Sequence, residues 1–362
     1  MCLYPKLIEN RKYKPNLKNG GNPPPIKDKR TAYVPVGCGK CMECLKQRSN
    51  NWRIRLMEEI REGEKGKFVT MTFEDKYLVQ LEYKIHEQNK KKLGRLNAET
   101  RRKTKYIPVD GYELENDIAT EAVRRFLERY RKKYGTSIKH WLVTELGQNN
   151  TERLHIHGII WTNKNKAEIE KLWKYGNVNK RDKNWENNYC TEQTVNYIVK
   201  YVNKTDEKHK YYKPIILTSP GIGAAYIKRA DARNNKYKGE ETKETYTTRQ
   251  GYNLALPTYY KNKIYKEEEK EQLWINLLNK EIRYVNGIKV DISQGEEDYE
   301  NVLKHAREVN KTLGYGNDKV NWEEKKYERQ RRNLHRWTRI EGIKRRKEKQ
   351  RLRSGDMEGR KE

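Results

Sequence analysis

The sequence predicts an α+β fold: a central antiparallel sheet flanked by helices, followed by a basic helical C-terminal extension. Three observations predict it. Residues 140–145 and 154–161 are β-rich, and the short polar stretch 148–153 between them closes an antiparallel hairpin. Ile118, Ala122, Phe126 and Tyr130 form an apolar stripe at four-residue spacing, which marks an amphipathic helix. From Trp322 onward the chain is basic and poor in aliphatic residues, so that end is read as a helical or disordered tail that orders against nucleic acid if at all.

The elements follow in order. Residues 1–32 are basic and contain Gly20-Gly21-Asn22-Pro23-Pro24-Pro25, the composition of an extended arm. Residues 33–37 read as a short strand. Residues 42–62 read as a helix with Trp52, Leu56 and Ile60 on one face and Arg48, Arg53 and Arg55 on the other. Phe68-Val69-Thr70-Met71-Thr72-Phe73 is a strand by alternation, and the charged run 82–112 reads as an insertion or long loop. Asn116-Asp117 is placed as the cap of a helix over 118–134, which Gly135 ends. A short helix over 166–175, a helix from about Thr191 and a strand over 214–218 come next, and the polar run 228–250 reads as mobile. Beyond it lie a helix over 267–282, a hairpin turned at Asn286-Gly287, and a helix to about Leu313 started by the capping box Ser293-Gln294-Gly295-Glu296.

Composition narrows the partners. Lys plus Arg total 80 against 51 Asp plus Glu, a formal charge of +29, which points to nucleic acid. The 26 tyrosines and 8 tryptophans suit base stacking, although ordinary packing uses the same residues. No apolar run reaches the length of a membrane span, and the first residues lack a signal-peptide core. Five cysteines, three of them bunched, suit a reducing cytosol better than a disulfide framework.

Two constellations carry chemistry. His155 and His157 stand at i and i+2, so on a strand both point to one side, and the hairpin brings Glu145 to the same end. Two imidazoles and a carboxylate with open positions suit Mg²⁺ or Mn²⁺, and the ligand types also admit Zn²⁺. The other reading is a pair of strand histidines on a solvated face. Downstream, Tyr197-Ile198-Val199-Lys200-Tyr201-Val202-Asn203-Lys204 repeats Tyr-x-x-Lys. On a helix, Tyr197 and Tyr201 share a face, each with a lysine one turn on. Val195, Ile198, Val199 and Val202 already supply the apolar face, so the phenols are free for another task. A phenol is a poor nucleophile until its ionised form is stabilised, which Lys200 and Lys204 can do. Paired nucleophiles would let one tyrosine cut while the other still holds DNA.

In order along the chain, 68–73, then Glu145 with His155-Ile156-His157, then Tyr197-(x)₃-Tyr201 resemble the three motifs of HUH rolling-circle replication initiators. The two-tyrosine form resembles the initiator of the microviruses, and Cys38-Gly39-Lys40-Cys41-x-x-Cys44 with Leu256-Pro257-x-Tyr259-Tyr260 is similar to the gokushovirus-like branch. The resemblance covers roughly residues 33–262. It implies an HUH endonuclease fold, a 5′-phosphotyrosine intermediate, a free 3′-OH primer, and single-stranded or supercoiled origin DNA as substrate. It also implies a host helicase and replicative polymerase as partners, in the cytoplasm of a bacterial host. The expected layout is a basic arm 1–32, a nicking-joining nuclease 33–262, an extension 263–321 and a tail 322–362. Arg48, Trp52 and Arg53 are the expected DNA contacts. Two other readings are a plasmid replication or mobilisation nuclease and a non-enzymatic basic nucleic-acid binder.

Cys38, Cys41 and Cys44 could hold Zn²⁺ or an iron–sulfur centre, with Cys2 or Cys190 as the fourth ligand. The alternative is a turn of buried thiols.

Overall fold

The computed structural model of the chain describes residues 2–63, 66–147, 152–179, 185–203, 212–316, 341–342 and 344–352. In chain order the elements begin with β1 (Lys6–Glu9), β2 (Tyr33–Val36), α1 (Met42–Arg61), β3 (Gly66–Thr72), α2 (Asp75–Thr100) and α3 (Gly111–Tyr134). They continue with β4 (Lys139–Leu146), β5 (Leu154–Trp161), α4 (Lys166–Trp173), α5 (Glu192–Ile198), α6 (Lys200–Asn203) and β6 (Ile216–Thr218). The last are β7 (Thr245–Thr247), β8 (Asn253–Ala255), α7 (Thr258–Ile264), α8 (Glu267–Asn279), β9 (Ile282–Val285), β10 (Ile288–Asp291) and α9 (Glu297–Thr312). The chain divides into two compact units, one of residues 48–229 and one of residues 1–47 with 230–362, the first division falling within α1. Among the described residues no helix is long and apolar enough to cross a membrane.

The unit 48–229 is built on a four-stranded antiparallel sheet in the order β3-β5-β4-β6. The predicted α+β class, with its hairpin β4–β5, is what forms. Strand alternation sorts the side chains. On one face Val69, Met71, Leu142, Leu146, Leu154, Ile156 and Ile160 bury against Leu81, Ile85, Ile118, Phe126 and Trp173 from α2, α3 and α4. On the other face Trp141, Val143, Ile159 and Trp161 pack with Leu56, Val195, Ile198 and Val202 from α1, α5 and α6. This second face changes character along its length. Past Ile159 the same parity places His157 and His155, which are only partly covered.

Gly158 holds the centre of the sheet. A Cβ there would sit 2.3 Å from the Trp141 carbonyl oxygen and 2.8 Å from Leu142 Cα, both backbone atoms that cannot swing aside. Gly158→Ala is therefore expected to cost about 3 kcal/mol and to lower the thermal midpoint by roughly 5–10 °C. A calorimetric or circular-dichroism melt measures it, and an unchanged midpoint contradicts this β4–β5 register.

In the other unit, β1 pairs with β2 and β9 with β10, all antiparallel. Leu3, Tyr4 and Cys41 pack with Val285, Val290, Ile292, Tyr299, Leu303 and Ala306 in a small separate core. The Asn286-Gly287 turn forms as expected, with φ of 49° and 85°, the left-handed values a two-residue hairpin needs.

Several local expectations change. Residues 1–32 are not simply extended: they contribute β1 and three 3₁₀ turns, and Leu3 and Thr31 are almost fully buried. Glu271 draws the segment in by bonding Lys12, Tyr13 and Thr31. Much of 82–112 is helix, since α2 runs to Thr100. Only Leu81 and Ile85 of α2 are buried, so its far part stands on the helix propensity of Lys, Leu, Gln and Glu with no apolar stripe to reveal it. Helix α3 begins at Gly111, before Asn116. Asn116 spends its side chain on Lys213, Thr144 and Tyr212 rather than on capping. The run 228–250 is organised around buried Asn235, whose amide donates to the carbonyls of Lys243 and Thr245. Helix α9 starts after Glu296 with no side-chain cap bond, and Ser293 instead donates its backbone N–H to Asp291. The expected tail 322–362 lies mostly outside the described residues, of which 341–342 and 344–352 are helical.

Candidate nicking site

The polar end of the second sheet face gathers the residues that matter. Glu145 lies directly across from His155 in the β4–β5 pair, so the two side chains share that face. His157 is flanked by Val143 on one side and Thr70 on the other. The Thr70 hydroxyl lies 3.1 Å from His157 Nδ1, and His157 Nε2 lies 2.8 Å from a Glu145 carboxylate oxygen. His155 bonds the backbone of Arg153, and its pKa is lowered, first by burial. Each imidazole thus has one nitrogen oriented by a protein partner, the support that metal-ligating histidines commonly have. The donor set fits a divalent ion in type: two imidazoles and a carboxylate share one face, and hydrogen bonds already orient the rings.

Two phenols cover this trio. The Tyr201 ring stacks on His157 with centroids 4.4 Å apart and planes 2° from parallel. The Tyr197 and Tyr201 hydroxyls are 2.7 Å apart. Phe68 of β3 meets Tyr197 edge-on at 6.1 Å and lies 6.4 Å from the His157 ring. Tyr197 is 50% exposed, so a polymer can reach it, whereas Tyr201 is half-covered. Burial pushes the Tyr201 phenol well above its ordinary pKa, and its bond to Tyr197 and the Glu145 charge push the same way. Positive charge brought to this end of the sheet would reverse the Glu145 contribution.

The phenols do not ride one continuous helix. Helix α5 ends at Ile198 and α6 begins at Lys200, with Val199 between them. Buried Ser49 of α1 donates its hydroxyl to the Val199 carbonyl, 3.2 Å away, and so supplies a partner at the break. The apolar residues Val195, Ile198, Val199 and Val202 hold both short helices on the sheet, as their spacing predicts.

The other expected residues divide. Lys200 is exposed at the start of α6, and Lys204 lies outside the described residues. Arg48 directs its guanidinium to the Pro214 carbonyl and has its pKa lowered by burial. Trp52 packs edge-on against Trp141, with Arg55 over its ring. Arg48 and Trp52 therefore both serve packing inside this unit, and Arg53 is partly exposed.

Sequence reasoning passed over the support from β3. Asn179 is 6% exposed and works as a surrogate strand: its amide accepts from Thr70 N–H at 2.6 Å and donates to the Phe68 carbonyl at 2.9 Å. It fixes the two β3 residues that touch the imidazole and the phenol. Its φ of 48°, which asparagine tolerates better than most residues, was the one available signal, and it is not visible before folding.

In the other unit Cys2, Cys38, Cys41 and Cys44 bring their sulfurs within 4.8 Å of one another, a group that could hold a metal ion. Cys2 is thus the fourth member. Cys190 stands apart in the unit 48–229, its thiol pushed up to about 12 by burial.

Residues 110–206 match a family model of replication-associated proteins, the ORF2 type, over just above a quarter of the chain. The matched segment carries Glu145, His155, His157, Tyr197 and Tyr201. No curated protein and no solved structure matches the chain.

Proposed function

We propose that this chain is a replication-associated endonuclease that nicks and rejoins single-stranded origin DNA to start and end rolling-circle replication of a phage genome. The observation that carries the reading is the stacking of Tyr201 on His157 with the Tyr197 hydroxyl bonded alongside. The family match over residues 110–206 supports replication as the setting.

In this reading Glu145, His155 and His157 hold Mg²⁺ or Mn²⁺. Such an ion supplies positive charge that offsets the Glu145 carboxylate and polarises a phosphate oxygen. Thr70 and the Arg153 backbone keep the imidazoles aimed. The more exposed Tyr197 attacks phosphorus, the bond to the 3′ oxygen breaks, and the 5′ phosphate stays on the phenol. The phenol loses one proton and the leaving oxygen gains one, so the exchange is balanced and the diester's energy is kept. Tyr201 is then the nucleophile for the second cut. Lys200 and Lys204 steady the developing charge. Residues 33–262 form the nuclease region, with 263–321 and 322–362 as basic extensions that grip the DNA backbone. The freed 3′-OH primes a host polymerase, with a host helicase opening the duplex, in the bacterial cytoplasm.

Covalent capture tests this. Incubation with a random pool of single-stranded oligonucleotides and Mn²⁺ is expected to give an adduct that survives denaturing electrophoresis, enriched for one sequence and abolished by EDTA. No adduct with the pool, with supercoiled origin DNA or at any Mn²⁺ or Mg²⁺ concentration overturns it.

A further inference from the structure

The four cysteines of the N-terminal unit have a geometry that selects among metals. Cys2 Sγ lies 3.9 Å from Cys41 Sγ, and Cys38 Sγ lies 4.0 Å from Cys44 Sγ. These are two opposite edges of a tetrahedron, and the other edges all fall under 4.8 Å. One tetrahedral ion with metal–sulfur bonds of about 2.3 Å sets its sulfurs about 3.8 Å apart. In a four-iron cluster each thiolate radiates outward from a corner iron, which spreads the sulfurs well beyond this envelope.

The backbone is arranged for thiolates rather than for packed thiols. The N–H groups of Tyr4 and Cys38 approach Cys2 Sγ at 3.3 and 3.2 Å. Those of Lys40 and Cys41 approach Cys38 Sγ at 3.4 and 3.3 Å. Donors converging on sulfur offset the negative charge of a tetrathiolate site. Gly37 lets the chain pass: a Cβ there would meet Cys44 Sγ at 3.0 Å.

We infer that Cys2, Cys38, Cys41 and Cys44 bind one Zn²⁺ in a closed structural site that fastens the chain's first residues and the start of α1 to α9 and the β9–β10 hairpin. Among single ions of this geometry, Zn²⁺ outcompetes Fe²⁺ for the same ligands. The neighbouring contacts say what is fastened. Arg307 of α9 donates to the Leu3 carbonyl at 2.9 Å and lies over the Tyr4 ring, and Asn310 accepts from the Met42 N–H at 2.8 Å. Among the described residues the buried core behind the cysteines is only nine residues, too small to hold these distant segments without a staple. The site is independent of the nicking chemistry, and its test reads metal and not cleavage.

The experiment uses the full chain purified under reducing conditions. Elemental analysis is expected to find about one zinc and less than one-tenth iron per chain, unchanged in Cys190→Ser and reduced at least fivefold in Cys41→Ser and Cys44→Ser. Should those variants fail to fold, the wild-type chain decides: titrating its thiols with a mercurial should release one zinc, seen with a chromogenic chelator. Co²⁺ exchange should give the intense visible bands of a tetrahedral tetrathiolate. Chelation should expose residues 1–47 and 282–312 to limited proteolysis. A reduced, zinc-supplemented chain that holds no zinc overturns the inference, as does one that holds iron instead or one that loses zinc equally in Cys190→Ser.

Discussion

Replacing Tyr197 and Tyr201 together by phenylalanine is expected to remove all covalent capture, a loss of at least about 10³-fold in adduct yield. The change deletes two oxygen atoms and leaves the packing nearly intact. Phe at 201 can still stack on His157 at the 4.4 Å spacing, and Phe at 197 can still meet Phe68 edge-on. DNA affinity and the thermal midpoint should therefore stay close to wild type. The single variants separate the two roles. Tyr197→Phe should suppress the first cut, because Tyr197 is the more exposed phenol and Tyr201 is held protonated by burial, by its bond to Tyr197 and by Glu145. Tyr201→Phe should leave one cut and block the second, so linear product accumulates in place of rejoined circles.

The second large effect falls on the imidazoles. His155→Ala or His157→Ala should lower cleavage about 10²- to 10⁴-fold while DNA binding, read by anisotropy, is retained. Binding is retained because it rests on the +29 charge of the chain and should fall steeply with salt in every variant. Thr70→Val should have a milder effect of about 10-fold, since it frees His157 Nδ1 without removing a ligand. A milder loss at Thr70 alongside a severe one at His157 separates a metal-orienting role from a packing role. Were His155→Ala to leave every activity intact, the chain would be a basic binder and not a nuclease.

The sequence revealed the hairpin, the shared parity of Glu145, His155 and His157, and the apolar seat of the tyrosine segment, because each follows from short-range period and turn length. It did not reveal what depends on contacts distant along the chain. Val199 interrupts the tyrosine helix where Ser49, 150 residues earlier, donates to its carbonyl, and nothing local marks that break. Asn179 buttresses β3 from a loop more than a hundred residues away. Arg48 and Trp52 read as DNA contacts by charge and aromaticity, yet Pro214 and Trp141 engage them. The cysteine spacing showed three ligands, and only the fold chose Cys2 over Cys190 as the fourth.

The most direct test maps the adduct. Protease digestion of the captured complex, followed by mass spectrometry, should find a nucleotide 5′-phosphate on Tyr197 or Tyr201 and an unmodified 3′-OH on the released strand. A bond to any other residue, or a phosphate left on the 3′ side, would contradict the account.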